Sequence, residues 1–367
     1  MSFDFNTFEN YFKAPYLHHE MSKKRVPQKI GILTAGGDCP GINAAIRGVG
    51  KTAIVKYGMK VIGISDGFSG LIHKEYTELT ESSLSGILTL GGTILGTSRE
   101  KPFKSEGKPK NELRKPILIK EHYEQLGLDC LVCIGGNGTM KTAHMLSQEG
   151  LNVVGIPKTI DNDIWGTDIT FGFDSAVNIA TEAIDRLHST ANSHKRIMVI
   201  ELMGHNAGWL ALYSGMAGGG DVILIPEIAH DEEIIMKYLT KRANDNKPYS
   251  IVVVAEGIRI PENEESPGRY FAREIQRVTG LETRETVLGY IQRGGTPSPM
   301  DRVLASRFGA AAANLIAQGK YGKMVAHRNG SISSIDLSEV AGKVKLVEAD
   351  DPMVLQAKEM GTCFGKC

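Results

Sequence analysis

The sequence predicts an α/β fold of two Rossmann-like three-layer domains with mainly parallel sheets, and three observations carry that prediction. From Lys29 onward, short apolar runs rich in β-branched residues alternate with helical periods. The chain has 367 residues, enough to bury two separate cores. Glycine-rich turns follow several of the strand candidates directly, and that is where an open α/β sheet receives ligands.

Residues 1–28 form an N-terminal extension with Phe3, Phe5, Phe8, Tyr11, Phe12 and Tyr16. It is too aromatic for a typical disordered tail and is expected to pack on the body or on another subunit. Strands are expected at 30–34, 59–64, 130–134, 153–156, 197–201, 222–225, 251–255 and 323–326. Between them Ile42, Ala45, Ile46, Val49 and Ala53 keep a helical spacing. So do Ala176, Ala180, Ala183, Ile184 and Leu187, with Asp174 expected to cap that helix. The domains are placed at 29–171 and 172–367, with later chain returning to the first.

Forty-two Lys+Arg balance 42 Asp+Glu. No global field draws the chain to nucleic acid or to an anionic membrane, so an anionic ligand needs a local site. No uncharged apolar stretch reaches about 18 residues, and the five cysteines do not make a secreted disulfide framework. A cytoplasmic protein is expected. Cys130-x-x-Cys133 lies within an apolar run and reads as a buried strand rather than a metal site.

Glycine is in excess, at about 11% against an average near 7%. The excess is expected where backbone meets phosphate: Gly36-Gly37, Gly91-Gly92, Gly135-Gly136-Gly138 and Gly294-Gly295. Gly36-Gly37 follows the first strand and opens a helix; Gly135-Gly136-Asn137-Gly138-Thr139 does the same after the strand at 130–134. Side by side, two such loops would cradle a polyphosphate, although either alone is equally a tight turn. Gly48-Val49-Gly50-Lys51-Thr52 imitates a P-loop ending, but Ala45 stands where that motif needs glycine and the segment is mid-helix. A dinucleotide G-x-G-x-x-G is also missing between the first strand and helix.

The densest polar cluster is Pro157-Lys158-Thr159-Ile160-Asp161-Asn162-Asp163, read as a loop directly after a strand. Two nearby carboxylates suit phosphoryl transfer, one facing an attacking hydroxyl and one a divalent cation. Arg99, Arg196, Arg284 and Arg293 fall at loop positions, where a guanidinium can grip phosphate with paired donors. The basic run from Lys101 to Lys115 is mixed with acids and prolines and reads as a solvated loop.

Taken together these motifs resemble the phosphofructokinase family. The resemblance runs in order from about Lys29 to Tyr321 through LTAGGDCPGINAAIRG, GGTILGTSR, GGNGT, PKTIDND, SHKR, ELMGHNAGW, AEG and TVLGYIQRGG. It implies phosphorylation of the 1-hydroxyl of fructose 6-phosphate in glycolysis. The domain at 29–171 would then hold the phosphoryl donor and 172–367 mainly the sugar phosphate. Gly36, Arg99, Glu100, Gly136, Asn137, Gly138, Thr139 and Lys158 would bind ATP, with Mg²⁺ at Asn137 and Asp163. Asp161 would be the base, with Thr159 and Arg99 assisting. Met203, Gly204, His205, Glu256, Tyr290 and Arg293 would line the sugar phosphate site, and Arg196 and Arg284 would reach it from a neighbouring subunit of a homotetramer or dimer.

Relatives use ATP or pyrophosphate. Pyrophosphate enzymes typically carry Asp in place of Gly138, where a carboxylate would crowd and repel the α-phosphate of ATP. Gly138 leaves that space open and favours ATP. Lys158 is the residue that pyrophosphate enzymes carry at its position, so the pairing resembles a mixed-type branch. A pyrophosphate-dependent enzyme is the alternative reading, and a silent sugar phosphate or nucleotide sensor a remote one. Asn137 departs from the family's usual Asp, His205 from Arg and Tyr290 from a frequent His.

Overall fold

The structure, a computed structural model, describes residues 27–104, 114–264 and 266–366. Most of the N-terminal extension, the middle of the basic run and Cys367 lie outside these residues.

The chain begins β1 (Lys29–Ala35), α1 (Ile42–Lys51), β2 (Lys60–Ile64), α2 (Phe68–His73) and β3 (Tyr76–Leu79). It continues α3 (Arg114–Gln125), β4 (Cys130–Gly135), α4 (Asn137–Gln148), β5 (Val153–Thr159) and β6 (Phe171–Gly172). A second series follows: α5 (Phe173–His194), β7 (Ile197–Leu202), α6 (Trp209–Ala217), β8 (Val222–Leu224), α7 (Glu232–Asn244), β9 (Ser250–Ala255), α8 (Pro267–Thr279) and β10 (Thr283–Val287). Last come α9 (Pro299–Ala317), β11 (Lys323–Arg328), β12 (Ser331–Asp336), α10 (Leu337–Val340) and α11 (Pro352–Glu359).

Two sheets result. The large one has the order β12-β11-β5-β4-β1-β2-β3, with β6 paired to β5; the small one is β10-β7-β9-β8. All neighbours run parallel except β3 on β2 and β12 on β11, the two outer strands of the large sheet. The central strands are buried on both faces and read as unbroken apolar runs, as in KIGILTA and CLVCIG. Cys130 and Cys133 are buried thiols in different core clusters, one on each side of β4.

The chain crosses between lobes. After the small sheet is complete, α9 and β11 return to the large one, where Leu304, Phe308, Ala312 and Val325 join the core of Ile32, Ile46 and Ile134. The tail then goes back, and Val354, Ala357 and Phe364 join the core of the small sheet. The P-loop imitation is explained by the return of α9. A Cβ on Gly48 would come within 2.6 Å of the Ser306 carbonyl oxygen, and one on Gly309 within 2.5 Å of the Ala45 carbonyl oxygen, so these glycines let α1 and α9 touch backbone to backbone.

Three local expectations are corrected. Asp174 lies inside the first turn of α5, whose N-cap is Gly172; its carboxylate accepts from Ser298 Oγ at 2.5 Å instead of capping the helix. The cluster from Pro157 begins within β5, which continues to Thr159. Gly91 meets Gly295, and neither glycine pair lines the cleft described below: a Cβ on Gly91 would approach the Gly295 carbonyl oxygen to 2.4 Å. Among the described residues no helix is long and apolar enough to cross a membrane.

Candidate active site

β5, β4 and β1 are adjacent parallel strands, so the loops leaving their carboxyl ends emerge side by side. They line a cleft of about 680 Å³ that gathers Gly36, Arg99, Glu100, Gly136, Asn137, Gly138, Thr139, Lys158, Thr159, Asp161, Asp163, His205 and Arg293. The other wall contains Phe68, Phe103 and Met145, apolar surface that suits a flat ring. These three, and Asn206, were not singled out from the sequence.

The first loop turns at Gly36, whose φ is 83°. It is fixed to the loop bearing Arg99: Gly36 N–H donates to the Ser98 carbonyl at 2.9 Å, and Thr97 Oγ1 donates to the Gly36 carbonyl at 2.6 Å. The second loop enters α4 at once, leaving the first amides of that helix facing the cleft, a ready anion site. No atom lies within 4 Å of a Cβ placed on Gly138. Lys158 is buried between the loops and donates from Nζ to the Gly37 carbonyl. Burial lowers its pKa.

The turn bearing Asp161 and Asp163 follows β5. Thr159 Oγ1 accepts from Asp161 N–H at 3.1 Å, and Thr170 N–H donates to Asn162 Oδ1 at 3.1 Å. Asp161 and Asp163 are both buried. Burial raises the pKa of Asp161, opposed by the charge of Arg293. Burial, reinforced by Asp161, pushes Asp163 up to about 6. Asn137 Nδ2 donates to Asp163 Oδ2 at 2.8 Å, while Asn137 Oδ1 and Asp161 Oδ1 are buried without a partner. Arg293 donates from Nη1 to the Asp38 carbonyl at 3.1 Å, and a Cβ on Gly37 would lie 2.6 Å from that nitrogen. The arginine expected to hold the sugar phosphate therefore stands against the first glycine loop, beside Asp161.

Met203, Gly204, Glu256, Tyr290, Arg196 and Arg284 are outside the cleft lining. The 203–205 loop is shaped by Gly204 (φ 144°) and His205 (φ 53°), and the N–H groups of both donate to Glu256 Oε1 at 3.3 and 2.8 Å. Met203 N–H donates at 2.9 Å to Oε1 of the wholly buried Gln292, a supporting residue that only its place inside the QRGG turn could have signalled. Tyr290 is 74% exposed. Arg196 and Arg284 both pair with Glu282, at 2.8 and 2.7 Å, away from the cleft. Glu100 pairs with Lys115 at 2.9 Å.

A hard divalent cation takes oxygen ligands, and the unpartnered Asn137 Oδ1 beside the Asp163 carboxylate suits one. Among the described residues no group of three or more His, Cys, Asp or Glu forms a closed metal cage. A cation here would share its coordination with phosphate oxygens and water.

The family model for phosphofructokinase matches residues 29–316. The ATP-dependent 6-phosphofructokinase 3 of Bacteroides thetaiotaomicron is 62% identical over 337 residues, covering 92% of this chain and all of that one. The structure of phosphofructokinase from Saccharomyces cerevisiae matches at a TM-score of 0.78 and 29% identity over 86% of this chain, which spans 45% of that longer one. The crystal structure of a pyrophosphate-dependent phosphofructokinase from Marinobacter aquaeolei matches at a TM-score of 0.78 and 25% identity, covering 88% of this chain and 86% of that one. The fold is thus shared across donor classes, and the chain belongs to the phosphofructokinase family.

Proposed function

We propose that this enzyme transfers the γ-phosphoryl group of ATP to the 1-hydroxyl of fructose 6-phosphate, releasing fructose 1,6-bisphosphate and ADP. The observation that carries the reading is Asp161: a buried carboxylate with one unpartnered oxygen, in a cleft between two glycine loops and the 203–208 loop. Asp161 takes the hydroxyl proton as the new O–P bond forms and the bond to the β-phosphate oxygen breaks. Its raised pKa makes it a stronger base than an exposed aspartate. Thr159 orients the turn through its bond to the Asp161 amide. Gly36, Gly136, Gly138 and Thr139 present the loops to the polyphosphate, and Arg99 and Lys158 balance its charge. Asp163 and Asn137 would hold Mg²⁺, which when bound neutralises charge on the bridging phosphates.

His205, Met203, Gly204, Glu256, Tyr290 and Arg293 serve the sugar phosphate, with Arg196 and Arg284 supplied by a neighbouring copy in a homo-oligomer. The half-exposed Arg284 side chain, and the absence of both Arg196 and Arg284 from the cleft of their own chain, support the role of these two arginines. Buried thiols at Cys39, Cys130 and Cys133 fit a reducing cytoplasm.

Initial rates with fructose 6-phosphate, Mg²⁺ and either ATP or pyrophosphate test the reading. ATP is expected to support turnover, and a preference for pyrophosphate overturns the donor. Asp161→Asn is expected to cut kcat by about 10²–10⁴-fold with KM little changed; unchanged turnover removes Asp161 from the base role.

A further inference from the structure

A short strap of chain joins the two lobes at the catalytic turn. Val344 bridges Ile164 in antiparallel fashion, and Lys345 N–H donates to the Asp163 carbonyl at 2.8 Å. The Lys345 ammonium then donates to Asn162 Oδ1 at 3.0 Å, the Thr167 carbonyl at 3.1 Å and the Asp168 carbonyl at 2.8 Å. All three of its protons are therefore used. Asn162, between the two site aspartates, is held at φ 52°, a conformation most residues avoid.

The strap's other side faces the small lobe. The Lys345 carbonyl accepts from Trp209 Nε1 at 3.0 Å, and its ammonium lies 5.3 Å from the centre of the Trp209 ring. Two residues on, Val347 N–H donates to Glu227 Oε1 at 3.0 Å; the same carboxylate receives the Gly208 N–H at 2.9 and 3.1 Å. Lys345 itself is absent from the cleft lining, so its reach to the chemistry runs through Asn162.

We propose that Lys345 is a positioning residue for phosphoryl transfer: it holds the turn bearing Asp161 and Asp163 in register with the 203–208 loop of the opposite lobe. The proposal rests on the reading of Asp161 as base. Removing the ammonium takes this donor from the Thr167 and Asp168 carbonyls and leaves Asn162 Oδ1 with the Thr170 N–H alone, and the left-handed turn relaxes from the geometry that transfer requires.

The test uses the full chain. Lys345→Met is expected to lower kcat about 10²-fold while both KM values change less than about threefold. Lys345→Arg, which keeps the cation, is expected to recover about tenfold of that loss. The deciding measurement repeats Lys345→Met in the Asp161→Asn background, where it should lower the residual rate less than about threefold, because residues acting as one unit are not additive. Losses that multiply overturn the proposal and leave the base assignment standing. If Asp161→Asn alone leaves turnover unchanged, the base assignment fails and the proposal with it. Should Lys345→Met not fold, Trp209→Phe loosens the same strap from its far side. It is expected to cost about threefold to tenfold in kcat, again only with Asp161 present; a multiplicative loss overturns the proposal.

Discussion

At the strand ends of the large sheet Lys158, Asp161 and Asp163 are buried, whereas Tyr290 and Arg284 of the small lobe stand at the surface. Lys158 and Asp161 are 3% and 8% exposed; Lys158 is tied to the first glycine loop, and the Asp161 amide to Thr159 within its own turn. Tyr290 is 74% exposed, and the Arg284 side chain is about half exposed and neutralised by Glu282. On the proposed assignment the donor side is assembled within one chain, while the sugar phosphate side turns Tyr290 and Arg284 outward. A buried, preorganised site costs no rearrangement when its ligand arrives. An outward-facing one gains its geometry from what docks against it.

The strongest way to break this contrast is to fill the donor side. A Cβ on Gly138 meets no atom within 4 Å, and an acidic side chain at the start of α4 suits the helix dipole, so Gly138→Asp should leave folding undisturbed. The kcat/KM for ATP is expected to fall about 10²-fold, read from initial rates, with the melting temperature unchanged. On the open side, Arg284→Ala should raise KM for fructose 6-phosphate about tenfold with kcat little affected. Its pairing with Glu282 is a surface contact worth little to stability, so a lowered melting temperature would count against a binding role.

The smallest effect belongs to the seam between lobes. Asp301 on α9 is buried, its Oδ2 accepting from Ser175 N–H and Oγ at 2.8 and 2.5 Å, and burial pushes its pKa up to about 6 from 3.8. A carboxyl raised by folding stabilises the native state below its unfolded pKa, and that contribution disappears as pH rises through about 6. Lowering the pH from about 7 to 5 should therefore stabilise the protein by about 1 kcal/mol relative to Asp301→Asn, as measured by urea unfolding. The opposite trend would contradict the buried, proton-retaining carboxyl.

The legible parts of the fold are those with strong local signals. β1, β4 and β9 are mainly apolar runs and stand out in the sequence; β3, β10 and β12 are half-solvated edge strands whose polar residues hide them. β6 has two residues and no signal at all. Glycine loops at 36–37 and 135–138 were readable because their position after a strand dictates their use. Gly91 and Gly295 look the same in sequence but serve a backbone contact across some two hundred residues. Lys345 was invisible for a related reason: a solitary lysine carries no pattern, and its partners Asn162 and Trp209 lie far away in the chain.

The return of α9 and β11 to the large sheet also governs the order in which the protein can fold. β5 lacks its outer neighbour until β11 has been synthesised, and that happens only after every strand of the small sheet. The strands of the small sheet, by contrast, form one uninterrupted stretch from β7 to β10, although its core is completed only by Val354, Ala357 and Phe364 of the tail. During synthesis the large lobe therefore waits with an unpaired strand edge, the exposed surface on which chaperones and misfolding compete.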